Sequence, residues 1–180
     1  MKERAFALTE YVSGSDIKLL RAKLGLTQEK FAELVCSSKP TVERWERSEK
    51  VTGPIVALIK VLGENVGLKD ELSVPKKKGN LRLWYMFRNE VCAIIDVDER
   101  MREVYVYNYT KDIFKRPFGV CEKPGYEMYE EFIESRCFPR TRDKMKIMLE
   151  ALELPFYEPI MIIQKTEGRM AEDDFWLKVE

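Results

Sequence analysis

The chain has 180 residues, and 45% of them are apolar, which is ordinary for a globular protein of one or two domains. No run approaches the ~20 consecutive apolar residues that cross a membrane, and the N-terminal residues lack the apolar core of a signal peptide. Basic and acidic residues number 31 each and there is no histidine, which excludes catalysis by a Ser–His or Cys–His pair. We therefore expect a cytoplasmic protein that does not associate with a membrane.

The cysteines and the missing nucleotide motifs argue against a metal, a cofactor or a catalytic centre. The cysteines contain no CxxC pair, so we expect free thiols and no structural zinc site. No P-loop or GxGxxG run is present to hold a nucleotide. The acidic run at 172–174 is typical of a solvated surface. We expect a protein without enzymatic activity.

Charge is distributed unevenly along the chain. Residues 1–80 contain 15 basic and 11 acidic residues, a net charge of +4, and residues 81–180 contain 16 and 20, a net charge of −4. Phosphate binding requires a basic surface, so the first half is the better candidate for contact with nucleic acid. The excess is small, and a dimer would double the number of contacts.

The first predicted helix begins near Ser15, which we expect to be its N-cap. Ile17, Leu20 and Leu24 give this helix a buried face, and Gly25 ends it.

Two short amphipathic helices joined by a tight turn are predicted next, over residues 24–48. Thr27 is placed to cap the first of them and Ser38 to cap the second. Pro40 is compatible with a helix because it falls in the first turn, where its missing amide would have no partner. The run reads LTQ at 26–28, FA at 31–32 and SKPTVERWE at 38–46.

This pattern resembles the helix-turn-helix of the xenobiotic-response-element and lambda-repressor family. In that family the third helix of the bundle enters the major groove with its N-terminal end. The resemblance implies that Lys39 and Arg44 donate to guanine and that Thr41 reaches a base edge or a thymine methyl. It also implies that Gln28 bonds a phosphate. The DNA-binding residues predicted in this way are Gln28, Ser38, Lys39, Pro40, Thr41, Arg44, Arg47 and Lys50.

Two positions depart from the family pattern. Cys36 replaces the glycine of the turn and lacks the easy access to positive φ that glycine has. Ser48 replaces the glycine after the third helix, which predicts a weaker C-cap.

The residues up to 74 are predicted to complete an all-helical bundle. Pro54 suits the first position of a helix, and a short fifth helix is predicted over residues 66–72. In the family the last helices often form the dimer contact, so the resemblance implies a homodimer. The candidate contact residues are Val66, Leu68 and Leu72, for which core packing is an equally good explanation.

A change of character marks a second domain. Residues 75–80, PKKKGN, are predicted to link a helix-turn-helix domain at 1–74 to a domain at 81–180. Strand-like runs predict an antiparallel β-meander, helical spacing follows, and the chain ends in a strand or docking arm. The predicted fold class is α+β: an all-α bundle followed by a small domain with the meander and two to three helices. The strand-like runs are 81–87, 91–97 and 103–109, and the helical ones begin at 126, 141 and 159.

Part of the second domain resembles a segment near the start of some HipA-like toxin kinases of Gram-positive bacteria. The matching runs are FIESRCFPRTRD at 132–143 and MAEDDFW at 170–176. In such modules the gene before the kinase encodes a helix-turn-helix antitoxin that represses the operon. The resemblance implies a cognate toxin or kinase-like protein as partner, which four charged residues of the first run would contact. The alternative is that these residues form a structural ion-pair cluster. They are Arg136, Arg140, Arg142 and Asp143.

These patterns favour a sequence-specific repressor that binds a palindromic site on double-stranded DNA as a dimer and serves as the antitoxin of a toxin–antitoxin-like operon. The alternative is a small-molecule-sensing regulator of a mobile element or a metabolic operon. Its second domain would then be the ligand sensor, with an apolar pocket that carries a few polar groups.

Overall fold

The structure, a computed structural model, describes residues 5–141 and 145–180. The chain separates into two units between Val74 and Pro75. The described part of the first unit is helical, and the second combines an antiparallel sheet with helices. The α+β fold class predicted from the sequence is confirmed.

The first unit packs its helices around one apolar core. Ile17, Phe31 and Val42 come from three different helices, and all three are fully buried at its centre. Thr27 and Ser38 cap the second and third helices as predicted, since each hydroxyl accepts a backbone N–H three residues on. The helices are α1 (Gly14–Lys23), α2 (Gln28–Leu34), α3 (Lys39–Arg47), α4 (Ile55–Glu64) and α5 (Leu68–Glu71).

The prediction that Ser15 caps α1 is wrong, because the cap is Ser13. The Ser13 hydroxyl accepts the Asp16 backbone N–H, and the Asp16 carboxylate accepts the Ser13 N–H at 3.1 Å. This reciprocal pair is a capping box, which needs an acidic or amide side chain three residues after the cap. Ser15 has no such residue at that distance, since Lys18 follows it. Gly25 ends the helix as predicted, with a left-handed φ of 66°.

The second unit is built on a sheet that is four-stranded in the described residues. Its strands are β1 (Leu81–Phe87), β2 (Glu90–Asp98), β3 (Glu103–Asn108) and β4 (Phe175–Val179). Their order in the sheet is β3-β2-β1-β4, and neighbouring strands are antiparallel. One face packs against the helices through Leu83, Ile95, Ile163 and Leu177, all of which are buried. The C-terminal run is a strand that pairs with the first. The α-helices are α6 (Tyr126–Ser135), α7 (Met145–Ala151) and α8 (Pro159–Thr166).

Residues 75–80, which the sequence predicts to be a linker, are attached to this sheet. Arg82 and Asp96 form a buried ion pair, with Nε and Oδ1 2.6 Å apart. Arg82 also donates to the Pro75 carbonyl oxygen, and Asp96 accepts the Lys78 backbone N–H at 2.8 Å. The buried pair therefore fixes both ends of the lysine-rich run, which belongs to the second unit.

Within the described ranges, no helix combines the length and the apolar character needed to cross a membrane.

Candidate nucleic-acid interface

One carboxylate joins α3 to the two helices before it. Glu46 Oε1 accepts a hydrogen bond from Arg21 Nε at 2.6 Å, and Oε2 accepts one from the Gln28 amide at 2.8 Å. The Arg21 and Glu46 side chains are only 17% and 6% exposed. Burial raises the pKa of Glu46, but the hydrogen bonds from Arg21 and Gln28 lower it more, so this pKa lies below its ordinary value. A single ionised group therefore fixes α3 relative to α1 and α2.

The start of α1 also lies directly against the end of α3. A Cβ atom at Gly14 would overlap the carbonyl oxygens of Trp45 and Glu46. The Gly14 amide donates to the Ser48 carbonyl oxygen at 2.9 Å. Glycine is required at this position because no side chain fits between the two backbones.

The two departures from the family pattern have different structural outcomes. Cys36 adopts the left-handed conformation that the turn demands, with φ 49°, although it is not glycine. The strain expected there is therefore present in the backbone. Ser48 is extended and does not need positive φ, and its hydroxyl donates to the Arg44 carbonyl oxygen at 2.8 Å. The serine thus satisfies one of the last carbonyl groups of α3 directly.

Of the residues predicted to read bases, Lys39, Pro40 and Thr41 lie in the first turn of α3, and Arg44 lies in its last turn. Lys39, Pro40 and Arg44 are exposed, and neither cationic side chain forms an ion pair with any described residue. Thr41 is half-buried, and its hydroxyl lies 2.9 Å from that of Ser38. The helix therefore presents one uncommitted cation, Lys39, in its first turn and another, Arg44, in its last turn.

The residues predicted to contact phosphate have more varied surroundings. Gln28 uses its amide N–H within the fold, on Glu46, so the predicted phosphate bond has a competing partner. Arg47 is highly exposed and lies 3.9 Å from Glu43. The Lys50 ammonium stacks over the Tyr11 ring, 4.9 Å from its centroid. Tyr11, half exposed at this edge, was not singled out from the sequence as part of this surface.

The residues predicted to bind a partner do not form one exposed cluster. Arg136 is 7% exposed, and its guanidinium donates to the Gly168 and Phe175 carbonyl oxygens and to both oxygens of Asp173. The hydrogen bond from Arg136 lowers the pKa of Asp173. Arg136 therefore holds the segment before β4 in place. Its donors are used internally, which favours the structural ion-pair role that the sequence analysis gives as the alternative to a partner contact.

Arg140 has the exposure that a partner contact requires, although it is paired with Glu134 at 2.7 Å. Arg142 and Asp143 lie outside the described residues.

Comparison with protein families matches residues 17–63 to a helix-turn-helix family. The match spans α2, the turn at Cys36 and α3. Comparison with curated proteins and with solved structures gives no match for the chain. The first unit therefore contains a helix-turn-helix of the lambda-repressor type, and the chain is a DNA-binding transcriptional regulator. The resemblance of the second half to HipA-like kinases has no support from these comparisons.

Proposed function

We propose that the chain is a repressor that binds a two-fold-symmetric operator as a homodimer, with α3 in the major groove of each half-site. The observation that carries this proposal is the pair of uncommitted cations, Lys39 and Arg44, on a helix anchored by Glu46. An anchored helix keeps the geometry that base readout requires, and free cations are the donors that guanine O6 and N7 accept.

Dimerisation is proposed through a groove between α2 and α5 whose lining combines leucine and valine side chains with Lys30, Glu33 and Lys69. Of the three residues predicted for this contact, Val66 and Leu68 pack on the core, whereas Leu72 is 53% exposed. Val74 beside it is 49% exposed, and Leu26 and Leu34 form part of the groove wall. Leu72 and Val74 are therefore the apolar groups that a second copy would cover.

The dimer is tested by introducing a charge into this groove. Leu72→Glu should convert a dimer into a monomer in light scattering, because the carboxylate would have to be buried in an apolar contact. Val120→Glu is the matched control, since Val120 is 79% exposed on the other unit and should leave the mass unchanged. A dimer that survives Leu72→Glu is held by another surface.

DNA reading is tested with the DNA upstream of the chain's own gene, against scrambled DNA, at two salt concentrations. The variant Lys39→Ala, Thr41→Ala, Arg44→Ala should lose about 100-fold or more in specific affinity, because each base contact is worth about 1–3 kcal/mol. It should keep weak, salt-sensitive binding to both DNAs. Lys60→Ala with Arg100→Ala removes the same two charges elsewhere and should preserve the preference. Equal loss in both variants would show that α3 contributes only charge.

The second unit is proposed to bind a protein partner, as in an antitoxin whose cognate toxin is kinase-like, and to act by binding and not by catalysis. The net charge of −4 over residues 81–180 supports a protein partner over nucleic acid for this unit. Co-purification with the product of the neighbouring gene tests this role. A second unit that binds no product of its operon would leave the antitoxin assignment without support.

A small-molecule sensor is the second candidate, favoured by one cleft. It has a volume of about 520 Å³ and a mostly apolar lining that includes Phe138, Met148, Ile162 and Met170. Such a lining suits an apolar effector. A metabolite that raises the melting temperature of the wild type but not of Met148→Trp, which places a larger side chain at the half-buried wall of the cleft, would favour this candidate.

A further inference from the structure

The second unit contains an acidic groove between α6, the N-terminal end of α8 and the turn after β2. Its volume is about 550 Å³. Glutamates dominate its rim, with one arginine, Arg140, at the edge, and its floor is formed by tyrosine, isoleucine and proline side chains. The glutamates are Glu99, Glu127, Glu130, Glu131, Glu134 and Glu158.

Internal cations neutralise only part of this charge. Glu134 pairs with Arg140 at 2.7 Å, and Glu130 pairs with Arg102 at 3.2 Å. Glu127, Glu131 and Glu158 form no ion pair with any residue that the structure describes. The groove therefore keeps a net negative field that an incoming cation would relieve.

A tyrosine hydroxyl in the groove also has no partner within the described residues. Tyr129 is only 4% exposed and lines the groove, yet its hydroxyl makes no hydrogen bond to any described group. Its ring packs beside that of Tyr126, with centroids 5.5 Å apart. Burial raises the pKa of Tyr129, and the neighbouring Tyr126, Glu99 and Glu158 raise it further, so the hydroxyl keeps its proton. The side chain is held by its burial while the hydroxyl oxygen itself reaches the groove, so this donor is available to a ligand.

The spacing of the carboxylates excludes a compact metal site among the described residues, where no cysteine, aspartate and glutamate side chains gather closely enough to hold an ion. The charges instead follow one side of α6 and continue to Glu158 at the start of α8. A distribution of this kind fits several cations held in a row.

We propose that the acidic groove binds an arginine- or lysine-containing peptide segment of a protein partner. The cationic side chains would lie against the glutamates, and their aliphatic stems would contact Ile133 and Ile160. A peptide also carries carbonyl oxygens, one of which can accept a hydrogen bond from the Tyr129 hydroxyl. A polyamine offers cations alone. This proposal specifies the chemistry of the partner and rests on the partner-binding role proposed for the second unit.

The first test titrates the full chain with a fluorescein-labelled peptide of alternating alanine and arginine at low salt. A peptide with citrulline in place of arginine has the same shape without the charge. Glu131→Gln with Glu158→Gln should weaken binding of the arginine peptide at least about fivefold, since two attractions in a partly desolvated groove are lost. Glu122→Gln with Glu172→Gln removes two exposed carboxylates elsewhere and should leave the affinity within about twofold.

The second test uses Tyr129→Phe, which removes only the hydroxyl. Because that hydroxyl has no internal partner, the melting temperature should stay the same or rise slightly. Affinity for the arginine peptide should nevertheless fall about threefold or more, the loss of one hydrogen bond to the ligand.

Any one of three results overturns the proposal. The first is a citrulline peptide that binds as tightly as the arginine peptide. The second is equal weakening by both glutamine pairs, and the third is spermine that competes as well as the peptide at equal positive charge. The last result would assign the groove to a polyamine. DNA binding is measured separately, so loss of operator preference would overturn the repressor proposal without affecting the groove.

Discussion

Replacing Glu46 with alanine tests whether one carboxylate holds α3 in its reading position. The change removes hydrogen bonds from Arg21 at 2.6 and 3.3 Å and from Gln28 at 2.8 Å, and it leaves a largely buried guanidinium without its partner. Truncating one partner of a buried ion pair costs about 3–5 kcal/mol. Arg21 keeps its bond to the Leu26 carbonyl oxygen and is 17% exposed, so we expect the lower end of that range for the first unit.

Hydrogen exchange measured by mass spectrometry assigns this loss to one unit of the full chain. A loss of about 3 kcal/mol corresponds to roughly 150-fold faster exchange in the most protected amides. Peptides covering residues 17–47 should show this increase, and peptides covering β1 and β2 should not change. Specific DNA affinity should fall with it, because part of the binding energy is then needed to order α3.

Glu43→Ala is the matched control on the same helix. The Glu43 carboxylate lies 3.9 Å from the exposed Arg47, and such a pair contributes no more than about 0.5 kcal/mol. Equal exchange in Glu43→Ala and Glu46→Ala would refute the reasoning. The packing of Val42 and Trp45 on the core would then be sufficient to place α3.

Three further predictions concern pH, backbone strain and thiol reactivity. The pKa of Glu46 is lower in the folded than in the unfolded chain, so its contribution is fully present above about pH 4.5 and is lost as the pH falls through the folded pKa. Urea unfolding curves of the wild type and Glu46→Ala should therefore converge in acid. Cys36→Gly should raise the free energy of unfolding of the first unit by about 0.5–1 kcal/mol in the same assay, and Cys36→Ala should not, because φ is 49° there. Cys36 is exposed and should react with a thiol reagent in the folded protein, whereas burial raises the pKa of Cys137 to about 12 and should prevent its reaction until urea is added.

The sequence was sufficient to predict the helix-turn-helix because its signals are local. A capping hydroxyl, an apolar residue and a first-turn proline each act within one or two turns of the chain, and Thr27, Ser38 and Pro40 lie where those rules place them. The error at Ser15 has the same origin. Two serines stand two residues apart, and only the position of Asp16, three residues after Ser13, decides which of them caps α1.

The contacts that place α3 depend on distant residues and could not be derived in this way. Glu46 reads as an ordinary surface residue of an amphipathic helix, but its partners Arg21 and Gln28 lie 25 and 18 positions earlier. The contact between these three side chains can be predicted only when the packing geometry of the helices is known. The same limit applies to Gly14, whose missing side chain matters because the end of α3 passes beside it.

In the second unit the sequence shows which residue types are present but does not determine their roles. An arginine can contact a partner or form hydrogen bonds inside the fold. Only its burial shows that Arg136 does the second. The acidic groove shows the converse. Its carboxylates come from the turn after β2, from α6 and from the residue before α8. The sequence therefore predicts a net negative charge for this half of the chain, but not that these side chains surround Tyr129. The net charge of +4 over residues 1–80 and of −4 over residues 81–180 gives the two parts of the chain opposite electrostatic preferences. The DNA contact and the peptide contact proposed above would use different surfaces, so DNA and a cationic partner segment would not compete for the same one.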